Sequence, residues 1–73
     1  MTLTKIAKWE SRSGKHWVVL EHDGVAAQYT GNDCGGSLGI MSAVEAIDKM
    51  QVKVNSGYFL PDNAKSPMKR TIY

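Results

Sequence analysis

The chain has 73 residues, 42% of them hydrophobic, and a formal net charge of +2. A chain of this length forms one domain with a thin core, because roughly 60% of the surface exposed in the unfolded state is buried at this size. The small net charge excludes the strongly basic composition typical of polyanion-binding proteins, and the single cysteine, Cys34, excludes both an intramolecular disulfide and a zinc site built on a cysteine pair.

Residues 1–11 contain lysines and a glutamate and have no long apolar run. Such a segment is neither a secretory signal nor a membrane span. A single cysteine is typical of a reducing compartment. These features predict a soluble, cytoplasmic protein with no membrane partner.

Two turn signals divide the first thirty residues, Ser13-Gly14 and Asp23-Gly24. Asp-Gly is one of the strongest hairpin signals, because both central residues of a type I′ turn need positive φ. The chain between these turns is predicted to form three antiparallel strands. They cover residues 3–12, 15–22 and 25–30.

The register of these strands follows from two-residue loops at the two turns. The first loop places Trp9 opposite Val18, and the second places Leu20 opposite Ala27. Both turns therefore select one common apolar face. We expect this core face to contain Leu3, Ala7, Trp9, Val18, Leu20, Val25, Ala27 and Tyr29.

The segment 31–39 contains four glycines and is predicted to be a flexible connection. A helix of about three turns is then expected to begin at the capping box formed by Ser42 and Glu45. It ends near Asn55-Ser56-Gly57, where Gly57 or Asn55 can take the left-handed conformation. The apolar stripe predicted to cover the sheet consists of Ile40, Val44, Ile47, Met50 and Val54.

The resulting fold class is α+β, a three-stranded antiparallel β-meander packed on one face by a single α-helix (β-β-β-α) over residues 1–60. A turn is expected at 60–63. Residues 61–73 form either a mobile tail or an added edge strand, since residues 68–73 alternate weakly in hydropathy.

The sheet face opposite the helix is predicted to expose Trp17 and Val19 to water on the central strand, with charged residues around them. An exposed tryptophan rimmed by charges resembles the core and rim of a protein interface. The alternative is that Phe59, Leu60 or Ile72 from the C-terminal segment folds over it. If no segment does so, the occupant is a partner protein or a second copy in a homo-oligomer.

Nucleic acid is the rival partner. Lys8, Arg12 and Lys15 lie near Trp17, and Gln28 and Thr30 can hydrogen-bond to phosphates or base edges. Residues 13–17 (Ser-Gly-Lys-His-Trp), the second turn and the helix together resemble the three-strand-plus-helix DNA-binding domains of phage integrases and AP2 factors. That resemblance, over residues 6–50, implies that the outer sheet face enters the major groove, where Glu10 and Glu21 would repel phosphate.

Catalysis has less support in the sequence. The glycine-rich segment lacks the Gly-Lys-Ser/Thr ending of a P-loop and any dinucleotide fingerprint. Cys34 would need a base within reach, and only His16 and His22 are candidates. We therefore expect a non-catalytic accessory protein, an adaptor, an inhibitor or a self-associating protein, with no cofactor and no metal.

Overall fold

The computed structural model describes residues 2–32, 34–60 and 67–73. These residues form one antiparallel sheet and one helix, with strand order β4-β3-β2-β1-β5. The α+β class is therefore confirmed, but the prediction of three strands is wrong. The elements are β1 (Thr4–Glu10), β2 (Trp17–His22), β3 (Ala26–Gly31), β4 (Gly35–Ile40), α1 (Ala43–Asn55) and β5 (Lys69–Ile72).

The first hairpin has the predicted register. Trp9 lies opposite Val18 and Ala7 lies opposite Leu20. Gly14 has a φ of 78°, which the loop requires and which glycine adopts without strain. The hairpin loop is closed by the Ser11 N–H, which donates to the His16 carbonyl oxygen at 2.8 Å.

The second hairpin differs from its predicted register by two residues, with Leu20 opposite Tyr29 rather than Ala27. The Asp23 carboxylate causes the longer loop, because its Oδ1 accepts from the Val25 N–H at 2.9 Å and the Ala26 N–H at 2.8 Å. These bonds hold the pKa of Asp23 below its ordinary value, the one from Ala26 most strongly. A shift of two residues keeps each side chain on its predicted face.

The glycine-rich segment predicted to be a flexible connection forms β4 instead, paired with β3. Its small residues fit a close approach between the two strands. Gly36 lies opposite Tyr29, and a Cβ at Gly36 would stand 2.9 Å from the Tyr29 hydroxyl oxygen. Glycine is therefore needed here because the Tyr29 ring occupies the space of a side chain.

Helix α1 begins and ends as predicted. The Ser42 hydroxyl caps it by accepting from the Glu45 N–H at 3.1 Å. At the other end the Tyr58 N–H bonds to the Lys53 carbonyl and the Gly57 N–H to that of Val54. With Gly57 at a φ of 80°, this pattern is a Schellman motif.

The buried face of α1 is rotated from the predicted one. Ala46, Met50 and Val54 are buried, and Ile47 packs partly against the core. Val44 lies roughly 120° around the helix axis from Met50 and is 71% exposed, so its predicted place in the core is wrong. Ile40, also expected on this stripe, is the last residue of β4 and is 83% exposed.

The core lies between α1 and the face of the sheet that carries Trp9, here called the inner face. Two residues predicted there are outside it. Leu3 precedes β1 and is 40% exposed, and an irregularity at Ile6 shifts the register of β1 just before Ala7. Val25 stands in the Asp23 turn and is 45% exposed. The buried cluster consists of Ala7, Trp9, Val18, Leu20, Ala27, Tyr29, Ala46, Met50, Val54, Leu60 and Met68.

The last strand, β5, pairs with β1, so the sheet includes the edge strand that was one of the two expected states of the C-terminal segment. Gln51 of α1 joins β1 and β5. Its Oε1 accepts from the Trp9 indole N–H at 2.9 Å and from the Arg70 guanidinium at 3.3 Å. The turn predicted at 60–63 lies outside the described residues beyond Leu60.

Candidate binding surface

The candidate surface is the side of the sheet opposite α1, here called the outer face. Cross-strand pairing fixes its members, because directly opposed residues of antiparallel strands share a face. It is built in rows that cross up to five strands. The outer face carries Lys5, Lys8, Glu10, Trp17, Val19, Glu21, Ala26, Gln28, Thr30, Ser37, Ile40, Lys69 and Thr71.

Trp17 and Val19 occupy β2, the middle strand of the five. Trp17 lies opposite Glu10, and Val19 lies between Lys8 and Thr30. Both apolar side chains are half-buried rather than fully in water as expected. Their neighbours in the row stand about 5 Å away, close enough for long side chains to shield part of each apolar surface.

The three residues considered as a cover for Trp17 all lie on the inner side. The Phe59 ring packs edge-on against Tyr29, with ring centroids 5.6 Å apart. Leu60 belongs to the buried cluster, and Ile72 lies opposite Ala7. None of these three residues therefore covers Trp17.

Asn32 fixes the backbone of Trp17. The Trp17 N–H donates to the Asn32 Oδ1 at 3.0 Å, and the Asn32 N–H donates to the Trp17 carbonyl at 3.3 Å. The Asn32 Nδ2 also donates to the Lys15 carbonyl at 2.9 Å. Asn32 thus ties the first hairpin loop to the end of β3, so the tryptophan stands on a fixed backbone.

Charges on the outer face alternate in sign. Glu10 lies 3.7 Å from the Lys8 ammonium and directly opposite Lys69. Glu21 lies opposite Lys5. Each carboxylate therefore stands next to at least one lysine, which gives the centre of the face a mixed electrostatic character.

The end of the outer face nearest the first hairpin is more basic. Arg12 and Lys15, both predicted site residues, are exposed in the loop between β1 and β2. A cleft of about 540 Å³ lies beside Arg12. It is lined by Glu10, Ser11, Arg12, Pro67 and Lys69.

All seven residues predicted for the binding surface lie at or beside this face. Lys8, Trp17, Val19, Gln28 and Thr30 are on β1 to β3, and Arg12 and Lys15 are in the adjoining loop. Sequence reasoning missed Lys5, which the irregularity at Ile6 places on this face, and the members contributed by the other two strands. Lys69 and Thr71 belong to the weakly alternating segment 68–73, which was the available signal, whereas nothing in the glycine-rich segment pointed to Ser37.

Of the residues considered for catalysis, Cys34 and His22 lie apart from this face. Cys34 is exposed in the turn between β3 and β4. The Gly24 N–H donates to the His22 Nδ1 at 3.0 Å, so the His22 Nε2 carries the proton and donates to the Met41 carbonyl at 2.7 Å. His22 therefore closes the second hairpin turn onto the start of the helix. The described residues contain no group of three His, Cys, Asp or Glu side chains that could hold a metal ion.

Comparisons of the chain with protein-family models, with curated proteins and with solved structures gave no significant match. In the part of the chain that the structure describes, no helix has the length and apolar character needed to cross a membrane. The outer face is therefore interpreted from its own geometry.

Proposed function

We propose that this protein is a small non-catalytic binding protein that contacts a protein partner through the outer face of its sheet. The observation that carries this proposal is the place of Trp17 and Val19 at the middle strand of a face opposite the helix. Such a protein acts as an adaptor, as an inhibitor or by self-association.

The arrangement of residues around Trp17 has the composition of an interface. Tryptophan is enriched among the residues that dominate binding energy, and a polar rim excludes water from them. Here Lys8, Glu10 and Thr30 supply that rim. Because Asn32 already holds the backbone of Trp17, less conformational entropy is lost on binding.

The alternating charges favour a protein over a polyanion as the main partner. Glu10 and Glu21 stand within the face and would repel phosphates, whereas a protein surface can pair with both signs. A second copy of this chain is the first partner to test. In a two-fold contact the same patch meets itself, so the lysines of one copy can face the glutamates of the other.

The test is sedimentation equilibrium of the wild type, Trp17→Ala and Val44→Ala at low and high concentration. Val44→Ala is the matched control, since it removes an exposed apolar side chain from the helix. We expect Trp17→Ala to weaken association by about tenfold or more, with little change in the urea midpoint. Val44→Ala should leave association unchanged.

Two results would count against this proposal. Unfolding of Trp17→Ala in the monomer would show that Trp17 supports the fold rather than an interface. Equal association of Trp17→Ala and the wild type would place the contact elsewhere. A wild type that stays monomeric at every concentration removes self-association and leaves a different protein as the partner.

Nucleic acid is the second candidate, favoured by the basic end of the outer face. Arg12 and Lys69 line a cleft with Glu10, which lies opposite Trp17, and Lys15 is in the same hairpin loop as Arg12. The Trp17 ring could stack on a base. This hypothesis predicts DNA binding that weakens steeply with salt and is reduced by Arg12→Ala and Lys15→Ala. Binding that does not change with salt would rule it out.

A further inference from the structure

Strand β4 is an open edge of the sheet, with β3 as its only neighbour among the described strands. The Gly31 N–H donates to the Cys34 carbonyl at 2.6 Å. Antiparallel pairing then alternates, so Tyr29 and Gly36 form the next hydrogen-bonded pair. The N–H and C=O groups of Gly35 and Ser37 therefore point away from β3, in the direction where another strand would lie.

The two edges of the sheet differ in how well they are protected. Edge strands usually avoid further pairing by short length, by lysines and by proline. Strand β5 has these features, since it is only Lys69–Ile72, begins with two cationic residues and follows Pro67. Strand β4 contains no charged residue and no proline, and its irregularity lies after Ser37, which leaves the first half of the edge straight.

A cleft of about 510 Å³ runs between this open edge and α1. Its apolar wall is formed by Leu38 of β4 and Val52 of the helix, which is 69% exposed. Its charged lining residues among those described are Lys49 and Lys53. The free backbone groups of the β4 edge therefore lie next to an apolar wall and to positive charge, both on the helix side of the sheet.

We propose that an extended peptide segment, which carries both apolar and acidic side chains along one of its two faces, adds to β4 as a sixth strand. Its backbone pairs with Gly35 and Ser37, as in other cases of strand addition to an open edge. Alternate side chains of a strand share a face. An apolar one can therefore rest on Leu38 and Val52 while an acidic one two positions away meets Lys49 or Lys53.

Charge decides between this peptide and a second copy of the chain. Two copies paired through β4 about a two-fold axis would place their helices side by side over the joined sheet. Lys49 and Lys53 of one copy would then face the same lysines of the other, and like charges repel. An acidic segment has the complementary charge. This site lies on the helix side of the sheet and shares Ser37, at the strand edge, with the outer face.

The probe is a fluorescein-labelled peptide with the sequence Thr-Val-Thr-Glu-Thr-Val, in which the two valines and the glutamate share one face. The matched control peptide carries lysine in place of glutamate. We expect the folded wild-type chain to bind the glutamate peptide about tenfold more tightly or better by fluorescence anisotropy. The double variant Lys49→Glu/Lys53→Glu should reverse this preference. Val44→Glu, which adds a negative charge at an exposed helix position that does not line the cleft, should leave it unchanged.

The location is checked by amide NMR of the same complex. Binding should shift the Gly35 and Ser37 amides and protect them from solvent exchange. The proposal is overturned if neither peptide binds, if the preference survives in the double variant, or if the shifts centre on the Trp17 indole. It is also overturned if the wild type dimerises with the Gly35 and Ser37 amides protected before any peptide is added.

Discussion

Gly36 has no side chain, and the Tyr29 ring occupies the space that a side chain would need. The Tyr29 hydroxyl oxygen lies 2.9 Å and its ring carbon Cζ 3.0 Å from the position that a Cβ at Gly36 would take. Tyr29 is itself packed edge-on against Phe59. Burial, followed by its hydrogen bond with Tyr58, raises the pKa of Tyr29. The ring is therefore confined and cannot move aside without disturbing these contacts.

We predict that Gly36→Ala destabilises the fold by about 1–3 kcal/mol, because the added methyl group overpacks against Tyr29. Gly35→Ala is the matched control, since the nearest atom to its Cβ among the described residues would be the Tyr29 carbonyl oxygen, at 3.4 Å. Urea unfolding of the two variants measures the difference. Equal losses from both would mean that the Tyr29 contact is not the cause.

At the scale of single elements, the hairpin β2–β3 depends on the Asp23 carboxylate. Its pKa in the folded chain lies below the ordinary value of 3.8, mainly because the Ala26 and Val25 N–H groups donate to it. The unfolded chain therefore takes up this proton first as the pH falls. The contribution to stability is fully present above pH 3.8 and is lost as the pH falls through the lowered pKa.

We predict that the free energy of unfolding of the wild type falls, relative to Asp23→Asn, as the pH is lowered below 3.8. The asparagine variant keeps an Oδ1 acceptor but does not titrate. The other carboxylates occur in both proteins and cancel in the comparison. Urea unfolding of both across this range is the measurement, and a difference that stays constant with pH would contradict the assignment.

The elements differ in how well their structure could be predicted from the sequence. The first hairpin was predictable because its loop is centred on Ser13-Gly14 and the apolar residues of both strands agree with it. The second was predicted on the correct face but two residues out of register. Asp-Gly indicates a tight turn, whereas the bonds from Val25 and Ala26 to Asp23 depend on how a side chain is placed. The positions of Trp17 and Val19 in the middle of the outer face were predictable, because side chains along β2 alternate between the two faces of the sheet.

Two elements could not be predicted from local patterns. Strand β4 consists largely of glycine and serine, residues with low intrinsic preference for strands, and it forms because β3 offers an edge. The buried face of α1 is centred on Ala46, which lets the helix approach the sheet closely, and hydropathy favoured the larger Val44 instead. In both cases packing decided the outcome.

At the scale of the whole molecule, β5 adds to the contacts between the sheet and the helix that β1 and β2 already make. Met68, just before it, is in the buried cluster, and Arg70 shares the Gln51 oxygen with the Trp9 indole. Without β5, strand β1 would become an open edge over the largest buried side chain. The stability of the core therefore depends on a short strand distant in sequence.

We predict that a chain ending at residue 66 loses about 2–5 kcal/mol, since it removes the buried Met68 side chain together with the pairing of β5. A small domain has little more than this in total, so the shortened chain should be largely unfolded. A chain ending at residue 72 is the control. Amide NMR dispersion and urea unfolding report the result, and a native spectrum from the shorter chain would disprove the prediction.

The pairing of β5 with β1 also determines when the sheet can be completed during synthesis. Strand β1 leaves the ribosome first of the five strands and β5 last, yet the two are neighbours in the sheet. The nascent hairpins can form early, because their contacts are local. Two cross-strand pairs of the outer face, Lys8–Thr71 and Glu10–Lys69, form only after β5 has emerged. A partner that recognises the whole outer face would therefore not engage the growing chain before that moment.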